Sequence, residues 1–145
     1  MLLPTGNWHD GLRILIQLLI AYVLTGMIGW NREREEHTVG IRTFPIVGMS
    51  SCAYLLLVSG DAASLSRVMQ GLIAGIGFIG GGAILKDGPS VKGSATAASI
   101  WNAAVIGAAV ATERYEVAII LSLLNLFTLR VLLPLKNRLD RTNQQ

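Results

Sequence analysis

Val68-Met-Gln-Gly-Leu-Ile-Ala-Gly-Ile-Gly-Phe-Ile-Gly-Gly-Gly-Ala-Ile-Leu85 runs for eighteen residues without a charged side chain, and six of them are glycine. At a helical rise of about 1.5 Å per residue, such a run crosses most of a hydrocarbon core about 30 Å thick. It therefore reads as a transmembrane helix. Four further runs are predominantly apolar, at residues 11–30, 43–60, 94–112 and 117–133, with Arg13 and Arg130 as the only charges in them. Pro45 falls in the first turn of its run, where a missing N–H costs little. Arg130 interrupts the last run close to its end, where an arginine can snorkel to the headgroups, and Pro134 is expected to close it. The sequence predicts an all-α, polytopic transmembrane helix bundle of about five spans, or four if the interrupted run fails. Residues 136–145 read as a short polar cytoplasmic tail that frays.

Composition supports this fold class. Charged residues make up 14 % of the chain and apolar ones 52 %, whereas a soluble domain carries about 25 % charged residues. Six of the twenty-one charges sit between Arg32 and Arg42. A net charge of +3 and a pI near 9.4 do not indicate nucleic acid here, because excess Lys and Arg mark cytoplasmic loops in membrane proteins. Counting them puts Arg32, Arg34, Arg42, Lys86, Lys92, Lys136, Arg138 and Arg141 on one side, and Arg13, Arg67 and Arg114 on the other. The expected orientation is N-out, C-in. The first run has no basic residue before Arg13 and no Ala-x-Ala site after it, so it reads as an uncleaved helix. Cys52 is the one cysteine, which excludes an internal disulfide.

Gly75-Ile-Gly-Phe-Ile-Gly80 matches a dinucleotide-binding pattern in letters only. That pattern requires a strand before it and an acidic residue about 20 positions later, and no Asp or Glu occurs between Asp87 and Glu113. Gly71/Gly75, and again Gly77/Gly81, are spaced by four, so each pair lies on one helix face, and small residues at that spacing permit close helix approach in lipid. Ala103, Gly107 and Ala111 repeat the spacing in the fourth span. On this reading Gly75→Leu or Gly81→Leu forces helices apart. The sharper alternative is that Gly80-Gly-Gly82 loosens the helix and frees carbonyls to line a path.

Asn31-Arg-Glu-Arg-Glu-Glu36 reads as a solvated helix extension in preference to a cation site. The spans hold no His and no acid, which argues against an intramembrane hydrolase, a proton-coupled carrier, a bound metal or a cofactor. Gln17, Asn102 and Asn125 read as interhelical hydrogen-bonding groups. Arg42-Thr43 and Lys86-Asp87-Gly88-Pro89 form polar corners on one side and are candidates for contact with a partner or with headgroups.

These corners also carry a resemblance. Gly29-Trp-Asn-Arg32 with Val39-Gly-Ile-Arg-Thr43, then Gly75 to Gly88, Val91-Lys-Gly93 and Thr96-Ala-Ala-Ser-Ile-Trp101, resemble the MgtC/SapB family of bacterial inner-membrane proteins in order and spacing. The chain departs from the family pattern in three ways. Asn31 stands where an acid usually precedes the loop arginine, Ala95 stands before Thr96, and no soluble domain follows the last span. The resemblance implies a multi-pass inner-membrane protein tied to adaptation under magnesium limitation and, in pathogens, to survival in host cells. It also implies a non-enzymatic modulator of other membrane proteins. Its partners would be the bilayer and either another membrane protein or a second copy. A cation channel or carrier with a glycine-lined third helix is the alternative. By position it points to Arg32, Arg42, Thr43, Lys86 and Asp87 for partner or headgroup contact. Gly71, Gly75, Gly77, Gly80, Gly81, Gly88, Gly93, Thr96 and Trp101 are expected to serve helix packing or the motif itself.

Overall fold

The computed structural model describes residues 8–35, 39–88 and 90–142, and for Glu35, Asp87, Ser90 and residues 133–142 it describes the backbone alone. The element order is α1 (Trp8–Glu35), α2 (Thr43–Leu56), α3 (Ala62–Gly82), β1 (Leu85–Asp87), β2 (Ser90–Lys92), α4 (Ser94–Ala111) and α5 (Tyr115–Thr142). The all-α bundle expected from the uncharged runs is present, with one small hairpin added.

Side-chain contacts fix how the helices alternate. Gly29 of α1 lies against Gly40, Ile41 and Phe44 at the start of α2. At the far end of α2, Leu56 and Ser59 share a polar cavity with Asp10, Arg13, Gln17, Ala111 and Glu113. α2 therefore runs back along α1. α4 starts beside Arg32 and ends with the Val110 carbonyl accepting from Gln17 Nε2 at 3.2 Å. α5 returns to bring Arg130 to Asn31. One end of the bundle thus gathers Asn31, Arg32, Thr43, Thr96 and Arg130, and the other gathers Arg13, Gln17 and Glu113.

α4 is the central helix and packs on all four others, most extensively on α2. The reason is small residues. A Cβ added to Gly107 would collide with the Gly48 carbonyl, and one added to Gly48 would stand 2.5 Å from Thr25 Cγ2. Lipid tails are as apolar as the helix surfaces, so association in a bilayer depends on such close van der Waals contact and on interhelical hydrogen bonds. The outward faces of α1, α3 and α5 carry Leu19, Val23, Ile73, Phe78, Ile120 and Phe127, all exposed.

Several sequence-based boundaries are corrected. Four helices are long and apolar enough to cross a membrane. The interrupted run at 117–133 is among the four, whereas the run expected over 43–60 is helical only through Leu56 and continues as tight turns that donate Val58 N–H to Leu55 and Ser59 N–H to Leu56. Its fourteen residues rise about 21 Å, less than the hydrocarbon thickness. α3 starts at Ala62, six residues early, because Asp61 caps it by accepting from the Ala63 N–H at 3.1 Å. It stays helical through Gly82, so Gly80–Gly82 is an intact last turn and not a loosened stretch. α5 continues past Pro134 to Thr142. That proline removes one helical hydrogen bond without ending the helix, and residues 136–142 extend α5 where a frayed tail is expected.

The hairpin pairs Leu85 with Lys92, Lys86 with Val91 and Asp87 with Ser90. Two glycines make it possible. Gly88 takes φ +61° at its turn. Gly93 takes φ +84°, and any Cβ there would run into the Ala83 carbonyl, so both geometry and space require glycine at the entry to α4.

Candidate functional site

The end of the bundle that gathers Asn31 and Arg32 concentrates the polar chemistry. α1 continues helically past Trp30 to Glu35, as a helix extension, but its first two polar residues are not solvated. Arg32 is 2 % exposed and Asn31 is 7 % exposed. Burying a guanidinium in a membrane protein is costly unless its donors are used. Arg32 Nη2 donates to the Thr96 hydroxyl at 2.7 Å, joining α1 to the first turn of α4. Next to it, Arg130 Nε donates to Asn31 Oδ1 at 3.0 Å, joining α5 to α1. Three helices are therefore tied together at one level by two arginine side chains.

The loop from α1 to α2 is held to the same place. Glu33 Oε2 accepts the Ile41 N–H at 3.0 Å, and the Arg34 guanidinium lies 5.7 Å from the centre of the Trp30 ring. Glu33 is thus engaged in closing the loop. Among the described residues no group of three His, Cys, Asp or Glu side chains could hold a metal ion. Glu36 and His37 lie outside the described residues.

The residues singled out from sequence divide clearly. Arg42 and Lys86 are exposed at this end, and Thr43 is half-buried as the first residue of α2. Asp87 is placed in β1 by its backbone, and its side chain lies outside the described ones. Gly88 and Gly93 serve the hairpin. Gly80 is buried with Ala97 beside it. Arg32 is corrected: it is a buried link to Thr96, not a surface contact. Thr96 contributes a hydroxyl to that link as well as bulk. Trp101 is half exposed and borders a shallow apolar cavity with Ile73, Ile76 and Val105, so it is not a core packing residue.

The glycines of α3 are the main correction. Nothing lies within 4 Å of a Cβ added at Gly71, Gly75, Gly77 or Gly81. Among the described residues no neighbouring helix packs closely on them, although Gly71 and Gly75 border the cleft towards α2, and within α3 Ile76 and Gly80 alone are buried. α3 touches α4 but barely meets α2. Between α2 and α3 lies a cleft of about 540 Å³, lined by Ile46, Ser50, Tyr54, Gly71, Gly75 and Ile79 among others. The close glycine contacts made inside the chain run instead through Gly29, Gly48 and Gly107.

Polar residues inside the spans make interhelical bonds. Ser99 donates to Asn125 Oδ1 at 3.0 Å, Ser122 donates to the Leu24 carbonyl at 3.0 Å, and Asn102 Nδ2 to the Leu121 carbonyl at 3.4 Å. Sequence reasoning missed the pairing of Asn31 with Arg130. The one signal was an arginine inside an otherwise uncharged run, which in lipid needs a partner.

The chain is also similar to known proteins. Residues 18–138 match the model of the MgtC family. The chain is 35 % identical to Protein SrpB of Synechococcus elongatus over 88 % of its length and 77 % of that protein's. It is 33 % identical to the Putative magnesium transporter YhiD of Escherichia coli, over 89 % of this chain and 65 % of that one. Protein MgtC of Brucella abortus is 39 % identical over 60 % of this chain and 37 % of its own length. The chain thus spans less than two thirds of the last two relatives. No solved structure matches it.

Proposed function

Because the chain belongs to the MgtC family and carries four helices able to span a bilayer, it is a membrane protein of that family, and we propose that it acts as a non-enzymatic modulator of another membrane protein during adaptation to low magnesium. The observation that supports this is the pair of uncovered glycine stripes on α3. Among the described residues nothing lies within 4 Å of a Cβ added at Gly71, Gly75, Gly77 or Gly81, and Phe78 is 85 % exposed between the two pairs. Each pair leaves a small-residue groove on its own side of α3, Gly71/Gly75 towards the α2–α3 cleft and Gly77/Gly81 roughly 120° away with Phe78 as a ridge between them, and another transmembrane helix can approach closely along such a groove. The proposed location is the bacterial inner membrane. The end bearing Arg32, Arg42, Lys86 and Lys92 would face the cytoplasm, as the Lys and Arg asymmetry favours.

Growth of a deletion strain at limiting and ample magnesium tests the physiological part. A defect confined to limiting magnesium and restored by a plasmid copy is expected, and equal growth in all conditions contradicts it. Co-purification in mild detergent tests the mechanism, and recovery of nothing but the protein itself counts against it.

A cation carrier is the second reading, supported by the description of the Escherichia coli relative as a magnesium transporter. The cleft between α2 and α3 would be its path. Its lining is mostly aliphatic, with Ser50, Ser51 and Tyr54 as the polar groups, which suits a dehydrated magnesium ion poorly. Magnesium flux into proteoliposomes that exceeds flux into empty vesicles would favour this reading.

A further inference from the structure

We propose that the β1–β2 hairpin is an anchor for anionic phospholipid headgroups. The hairpin connects Gly82 at the end of α3 to Ser94 at the start of α4, and both helices are long and apolar enough to span a bilayer. It therefore sits where hydrocarbon gives way to headgroups. The same level holds Arg42, because Arg32 reaches Thr96 while Gly29 touches Gly40 and Ile41.

The register gives the hairpin an unusual composition for that place. Residues opposite each other in an antiparallel pair share a face. Leu85 shares one with Lys92, and Val91 shares the other with Lys86. One face thus carries Lys86 with Val91, and the other carries Leu85 and Lys92 together with the positions of Asp87 and Ser90. Leu85 is 51 % exposed and Val91 57 %, and Ile84 just before them is 44 % exposed. A hairpin projecting into water would waste this aliphatic surface, and one buried in hydrocarbon would strand the lysines. At the boundary, the aliphatic groups enter the acyl region while each lysine extends its ammonium upward to the phosphates. Within the hairpin Lys86 and Lys92 outnumber the single acid, Asp87, while Arg42 nearby is set against Glu33, which accepts the adjacent Ile41 N–H, so the hairpin itself is net cationic and the complementary surface is negative. The occupant is thereby an anionic glycerophospholipid. Its binding stands whether or not the protein partner proposed above exists.

The test uses the full chain in mild detergent, titrated with phosphatidylglycerol or with phosphatidylcholine. The thermal midpoint gives the apparent affinity of each. One lysine near an anionic surface favours binding by roughly 1 kcal/mol, about fivefold. The expected preference for phosphatidylglycerol is therefore about 25-fold, falling about fivefold in Lys86→Gln or Lys92→Gln. It should nearly vanish in the double variant and in about 1 M NaCl, where screening acts within roughly 3 Å. Equal responses to both lipids, or a preference kept by a double variant that still unfolds cooperatively in phosphatidylcholine, would overturn the proposal. If the double variant does not fold, the wild-type protein decides: a preference unchanged by salt overturns it equally.

Discussion

The Arg32 guanidinium donates to the Thr96 hydroxyl at 2.7 Å across 64 residues of sequence, and neither side chain is more than 2 % exposed. A charge so placed ties α1 to α4 at the level where Arg130 ties α5 to Asn31. The result is a rigid polar layer that closes one end of an otherwise apolar bundle. Thr96→Val removes the acceptor and leaves the methyl volume. It should cost about 1–2 kcal/mol, between the value of an average interhelical bond in a membrane and that of a bond to a charged group. The midpoint of thermal unfolding in detergent should fall by a few degrees. An unchanged midpoint would show that the link contributes nothing to the fold.

Two classes of glycine should respond in opposite ways. Gly107→Ala pushes a methyl group into the Gly48 carbonyl and the Ser51 side chain, where backbone must move. Overpacking of this kind costs on the order of 1–3 kcal/mol or more. Gly75→Ala and Gly81→Ala meet open space and should gain up to about 1 kcal/mol from helix propensity. Thermal unfolding of the three variants separates them. Equal losses at Gly75 and Gly107 would mean that α3 packs within the chain after all.

The Ser99–Asn125 bond joins the two C-terminal spans at 3.0 Å. Asn125→Leu should cost roughly 0.6 kcal/mol and no more than about 1.7 kcal/mol, the range for hydrogen bonds between helices in lipid. A double cycle with Ser99→Ala measures it directly, and additive single effects would show that the pair does not couple.

Acid should loosen the start of α3. The hydroxyl of Ser64, and then the Ala63 N–H, hold the Asp61 carboxyl below its ordinary range. A folded-state pKa that is depressed means that the cap stabilises fully above the ordinary carboxylate range. That contribution is lost as pH falls through the depressed value. Backbone chemical shifts of residues 62–66, followed from neutral to acid pH, should move towards coil values, and Asp61→Ala should show those values at neutral pH. Helical shifts independent of both changes would contradict the capping role.

Much of this architecture is legible in the sequence because bilayer thickness and uncharged length are tied by simple geometry. α4 starts at the expected Ser94 and ends one residue before the expected Thr112. The boundaries that differ are those set by local chemistry. Asp61 starts α3 early through a cap, and α2 stops at Leu56 as tight turns take over. The hairpin escapes a reading based on long runs, although Asp87-Gly88 between Leu85 and Val91 carries a turn signal. The α3 glycines mislead for a different reason. Small-residue spacing declares that a helix can be approached closely, but not whether the approaching helix belongs to the same chain. Arg32 misleads because a charged loop stretch reads as solvated, and its burial becomes visible only when Thr96 is brought beside it.

The bare face of α3 is where the account can be tested most directly. A photo-reactive amino acid in place of Phe78, 85 % exposed beside Gly75 and Gly81, would be activated in intact cells growing at limiting magnesium. The account predicts a discrete adduct with a different membrane protein, which disappears when Gly75→Leu or Gly81→Leu roughens the face without lowering the amount of protein. Adducts with lipid alone, or a protein adduct indifferent to both glycine substitutions, would contradict it.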